Sequence, residues 1–168
     1  MILSIDLIKQ NDEWKKCKTI TKKHLSKLTY EILNHFSFFN NIKHVEMSIS
    51  LCDDDYMQNI NKRLRNKDKS TNVISVSYND DGFFNDINHV IEYLHLGDIA
   101  FSYKIIYNES VQQNKKFIDH FTHLLVHGIL HLLQYTHQDE QDTLIMQDIE
   151  IEILKKFNIK DPYIYQYE

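Results

Sequence analysis

The run His127-Gly128-Ile129-Leu130-His131-Leu132-Leu133-Gln134-Tyr135-Thr136-His137 places three histidines within eleven residues of a 168-residue chain. His127 and His131 stand four apart, so on a helix their rings leave one face, one turn apart. A third histidine six residues later closes a tripod if the chain leaves the helix and turns back. Three neutral imidazoles with a fourth position left to water are the usual ligand set of a catalytic zinc site. The flanking Leu130, Leu132 and Leu133 tend to bury the group, and a buried trio of uncoordinated rings would be poorly satisfied. The spacing therefore predicts one Zn2+ per chain, held by His127, His131 and His137 on a helix over about 116–133 and the turn after it.

The ligand spacing equals that of the metzincin proteases, with one difference. Those enzymes carry Glu directly after the first histidine as general base, and here that position is Gly128. Peptide hydrolysis would lack its proton acceptor at the expected place. A phosphodiester, and RNA with its own 2′-hydroxyl above all, needs charge stabilisation more than it needs that carboxylate. The glycine tilts the reading from protease to nuclease. His120 and His123 share the predicted helix, which crowds five histidines into residues 120–137; their plain reading is packing and hydrogen bonding.

Outward from this helix the chain reads as mixed α and β. Residues 2–8 and 44–51 alternate as strands, 73–76 and 94–101 add two more, and Asn79-Asp80-Asp81-Gly82 is a turn. Apolar positions Trp14, Cys17, Ile20, Leu25, Leu28 and Ile32 predict one long amphipathic helix over 12–36. Asp53, Asp54 and Asp55 suit a helix start, with Lys62, Arg63 and Arg65 near its far end. Ser102 can cap a helix to about 114, and a last helix covers about 139–157. Strands gather early and helices late, which predicts an α+β fold: a small mixed sheet of about four strands packed with about five helices, in a single domain over 1–168.

Composition narrows the function classes. Hydrophobic content of 42% and charged content of 26% are those of an ordinary soluble domain. No run approaches the roughly 18 apolar residues that span a bilayer, and the apolar start is broken by Asp6 without a basic leader. Cys17 and Cys52 form no CxxC pair and read as reduced thiols in a cytoplasmic protein. A formal charge of −5 argues against nonspecific nucleic-acid binding through net charge. It leaves room for a local patch, and five of the eight residues from Lys62 to Lys69 are basic. Arg65 offers a bidentate fork for phosphate, with Arg63, Lys67 and Lys69 as further substrate contacts. In Leu96-Gly97-Asp98-Ile99, Gly97 allows close approach within a strand, and Asp98 is a candidate acceptor to orient a ligating histidine from behind.

Taken together these segments resemble the YbeY family of single-strand-specific, metal-dependent endoribonucleases. Residues 127–137 agree with seven of nine specified positions of its signature His-Gly-x-Leu-His-Leu-x-Gly-Tyr-Asp-His, departing at Gln134 and Thr136. Arg65-Asn-Lys-Asp-Lys-Ser-Thr-Asn-Val-Ile-Ser75 is similar to its Arg-x-Lys-Asp-x-Pro-Thr-Asp-Val-Leu-Ser, Leu96-Gly-Asp-Ile99 to its Leu-Gly-Asp-Ile, and Met146, Glu150, Ile153 and Leu154 to its closing helix. The resemblance implies zinc on His127, His131 and His137, Arg65 as a functional residue, an RNA substrate, and maturation of the small-subunit rRNA 3′ end with ribosome quality control as context. A small ribosomal subunit or its proteins would then be partners. A noncatalytic ribosome-assembly factor with a structural zinc is the competing reading. Glycine at position 134 would adopt positive φ and let the third histidine return, so Gln134 should sit in a left-handed turn.

Overall fold

The computed structural model describes residues 1–164. In chain order the elements are β1 (Ile2–Lys9), α1 (Asp12–Lys16), α2 (Lys22–Leu33), β2 (Ile42–Cys52), α3 (Asp54–Arg65), β3 (Val73–Ser77), β4 (Ile91–Ser102), α4 (Tyr103–Gln112), α5 (Phe117–Leu132) and α6 (Glu140–Lys156), with short 3-10 turns at Ser37–Asn41 and Phe83–Asp86. The four strands form one mixed sheet in the order β1-β2-β4-β3. β1 and β4 both run parallel to β2, and β3 is antiparallel to β4 at the edge. The α+β expectation holds, and six α-helices stand among the described residues where about five were expected.

The extra helix comes from the predicted 12–36 segment, which breaks in two. Asn11 caps α1 through Trp14 N, and Thr21 caps α2 through His24 N at 3.1 Å. A threonine hydroxyl that satisfies a free N–H of a new helix competes with continuing the old one. The apolar spacing survives the break, since Trp14, Ile20, Leu25 and Ile32 are all fully buried. Trp14 also donates from Nε1 to the Cys52 carbonyl at 2.9 Å, fastening α1 to the end of β2.

Helix α5 is the centre of the core. Ten of its sixteen residues are buried, and it packs on β3, β4, α2, α4 and α6. Burial of each large apolar side chain contributes roughly 1.5–3 kcal/mol, so this helix is anchored along its length before any metal is considered. Gly128 explains how closely it approaches the sheet. A Cβ there would lie 3.0 Å from Ser75 Oγ and 3.2 Å from Ile99 side-chain atoms. Position 128 faces β3 and β4, so its smallness serves packing. Gly97, at φ 141°, makes the second close approach: a Cβ would meet the Val76 carbonyl at 2.2 Å.

Strand alternation decides which residues of β3 and β4 face α5. Val73, Ser75 and Ser77 pair with Phe101, Ile99 and Gly97. On the other face, Ile74 and Ala100 join Cys52 and Met57 in a small cluster under α3. Asp98 pairs with Val76 on that same far face.

Candidate metal centre

Helix α5 ends in a tight hydrogen-bonded turn. Gln134 N donates to the His131 carbonyl and Tyr135 N to the Leu130 carbonyl, both at 3.0 Å. This is the paired bonding of a Schellman motif, which needs a left-handed residue just past the helix. Gln134 occupies it at φ 71°, as expected. The conformation costs a non-glycine residue on the order of 1 kcal/mol, and its side chain offsets this with bonds that glycine cannot make. Gly82 N donates to Gln134 Oε1 at 2.8 Å, and Gln134 Nε2 donates to the carbonyls of Asn79 (3.1 Å) and Asp80. Thr136, where the family signature has Asp, donates from Oγ1 to Asp142 Oδ2 on α6 at 2.6 Å. The chain is thereby turned so that His137 rejoins the other two rings.

One potential ligand atom from each of His127, His131 and His137 lies within 4.8 Å of the others. The tautomers follow from what stands behind each ring. His127 Nδ1 donates to Glu150 Oε1 at 2.7 Å, and His131 Nδ1 donates to the Tyr135 carbonyl at 2.9 Å. Both Nε2 lone pairs are left pointing at one another 3.0 Å apart. Two facing lone pairs repel unless a cation or proton lies between them. Nitrogens bonded to one tetrahedral zinc at 2.0–2.1 Å sit about 3.3 Å apart, so the His127 and His131 pair is spaced for a shared metal and His137 stands near enough to close on it. Burial, then the neighbouring His127 and His137, pushes the His131 imidazole down to about 4, despite the Tyr135 carbonyl. It is therefore neutral at pH 7, the form a metal requires.

Glu150 is the residue at this candidate site to which the sequence alone assigns no role. It is fully buried on α6, and its second oxygen accepts from His123 Nε2 at 3.0 Å and from Tyr163 Oη. Burial pulls its carboxyl up, but the bonds from His123 and His127 outweigh that and bring it down to about 2. An ionised carboxylate behind a ligating imidazole fixes the ring and raises its basicity. The available signal was its place on the α6 core stripe with Met146, Ile153 and Leu154, where an acid needs a buried partner. Further along α5, His120 Nε2 donates to Glu109 Oε2 at 2.7 Å, and Glu109 also accepts from Asn72. His120 and His123, the α5 histidines outside the tripod, do pack and hydrogen-bond.

Asp98 does not take the expected place behind a histidine. It lies on the α3 side of the sheet and accepts from the Tyr78 hydroxyl, because the period of two in β4 turns it away from α5. The basic residues divide as well. Arg65 and Lys67 line a cavity of about 300 Å³ together with Thr71, Ser75 and the three histidines. Arg63 lines a separate cavity on the far face with Tyr56, Leu64 and Asp98. Lys69 is exposed and outside the residues lining the histidine cavity; the fold uses its carbonyl, which accepts from buried Asn61 Nδ2 at 2.7 Å. That bond, with Lys62 on Asp68 at 2.7 Å, holds the loop after α3 in position.

Comparison with known proteins places the chain in a family. The family model described as Endoribonuclease YbeY matches residues 9–158. The chain is 41% identical over 128 residues to Endoribonuclease YbeY of Francisella tularensis subsp. tularensis, covering 76% of each protein. The solution structure of a Thermotoga maritima protein superposes with a TM-score of 0.54 at 18% identity, over 92% of each chain, a likeness of fold.

Proposed function

This chain belongs to the endoribonuclease YbeY family, and we propose that it is a zinc-dependent endoribonuclease that cuts single-stranded RNA. The observation that carries the reading is one cavity in which three converging imidazoles stand beside Arg65 and Lys67. A bound zinc supplies Lewis acidity and a water that ionises near neutral pH. The chain's own groups do the rest. Arg65 grips the scissile phosphate with its planar fork, and Lys67 adds a point charge. Glu150 and the Tyr135 carbonyl hold His127 and His131 in the tautomers that present Nε2 to the cavity.

The substrate in this reading is rRNA, at the 3′ end of the small-subunit species, with the small subunit or its proteins as partners and ribosome quality control as the setting. The unpaired thiols Cys17 and Cys52 suit a reducing cytoplasm. A structural zinc in a noncatalytic assembly factor is less well supported. Structural sites are closed by a fourth protein ligand, and among the described residues the candidate ligand group holds His127, His131 and His137 alone.

The test combines metal analysis with cleavage of a single-stranded RNA, before and after chelation. The expected result is about one zinc per chain, cutting that stops with chelator and returns with zinc, and little cutting of a duplex. Cleavage indifferent to chelation would sink the proposal.

A further inference from the structure

The segment that carries His137 is a partition between two cavities. His137 lines the metal cavity, whereas its neighbours Tyr135, Thr136 and Gln138 line a second one of about 470 Å³. Phe38 and Asn85 line it as well. The part-exposed rings of Phe38 and Tyr135 bring aromatic surface to this cavity, and the exposed amides of Asn85 and Gln138 bring donors and acceptors. Asp81 adds a carboxylate at its edge.

We propose that this second cavity is the subsite for the nucleobase beside the scissile phosphate, with Gln134 as the positioning residue that fixes its wall. The inference rests on the endoribonuclease reading of the metal centre. Aromatic surface stacks with bases, and amides read their hydrogen-bonding edges, which is how unpaired RNA is recognised. Asp81 repels phosphate and accepts from exocyclic amino groups, so a base enters here and the backbone does not. A base in a duplex offers neither its face nor its Watson–Crick edge, so this subsite selects single strands. Gln134 matters because its amide, bonded to Asn79, Asp80 and Gly82, ties the loop carrying Asp81 and Asn85 to the turn carrying His137.

Gln134→Gly separates the two functions of that residue. Glycine accepts the left-handed turn, so the histidine tripod stays intact while the loop is released. The experiment is steady-state cleavage of single-stranded oligoribonucleotides that vary the base on either side of the cut. Zinc content and melting temperature are recorded alongside, with binding of a labelled oligonucleotide to metal-free protein by fluorescence anisotropy. Wild-type protein is expected to prefer one flanking base about tenfold in kcat/KM, the modest preference of a stacking site with a few exposed polar contacts. Gln134→Gly and the Asn85→Ala, Gln138→Ala double variant are expected to level that preference and raise KM about fivefold, with kcat held within about threefold. Zinc content should not move, melting temperature should fall by no more than about 5 °C, and anisotropy should show weaker binding. Variants that retain wild-type preference and KM overturn the subsite, as does a Gln134→Gly protein whose defect is loss of zinc. Wild-type protein that cleaves no RNA brings down the endoribonuclease reading itself, and the subsite with it.

Discussion

Glu150 Oε1 lies 2.7 Å from His127 Nδ1, so a carboxylate on α6 sets the ring of a histidine on α5. The candidate metal centre is therefore a product of helix–helix packing as much as of the signature run. The carboxylate is 1% exposed in its side chain, and water cannot replace it.

Replacing Glu150 by glutamine keeps the volume but loses the charge and half the accepting capacity. Zinc affinity is expected to fall about 10–100-fold, the usual effect of losing such an acceptor. Competition with a chromophoric chelator measures it. Unchanged affinity would remove Glu150 from the centre.

The two arginines should behave differently. Arg65→Ala is expected to lower RNA cleavage about 100-fold with zinc retained, since it removes a charge-assisted clamp on the phosphate. Arg63→Ala is expected to stay within about threefold, because Arg63 lines the cavity on the other face of the sheet. Equal losses in both variants would refute the division.

Thr136→Val breaks the bond to Asp142 that holds the segment bearing the third ligand. A single hydrogen bond contributes about 1 kcal/mol, so zinc should bind about fivefold more weakly. His131→Ala, by contrast, should abolish stoichiometric zinc. Calorimetric titration distinguishes these outcomes, and a Thr136→Val protein with wild-type affinity would show that the turn needs no such tie.

Burial, with Asp53 beside it, pushes the Cys52 thiol up to about 12. Only the thiolate reacts, so at pH 8 roughly one thiol in ten thousand is ionised. Cys52 is expected to resist iodoacetamide in the native protein and to react on unfolding, as read by mass spectrometry of its peptide. Rapid native labelling would contradict the burial.

Several elements were legible in the chain because their signals are local. The strands 44–51 and 73–76, the Ser102 cap and the helix bearing His127 all fall where periodicity and capping placed them. The left-handed turn at Gln134 was legible only through the family resemblance, whose signature has glycine at that position. The break between α1 and α2 was missed because Thr21 stands in an apolar pattern that continues through it, and a spacing rule does not weigh a hydroxyl cap.

By itself the chain determined the tripod, since an i,i+4 pair and a nearby turn need only the helical repeat to bring His127, His131 and His137 together. Tertiary structure alone decided that Glu150 and not Asp98 stands behind His127, and that Arg65 and not Arg63 enters the cavity. The first depends on which face of the sheet a strand residue takes and which helix packs across it, the second on which face of helix α3 the packing turns toward the histidines. Those are long-range pairings, and no local pattern encodes them.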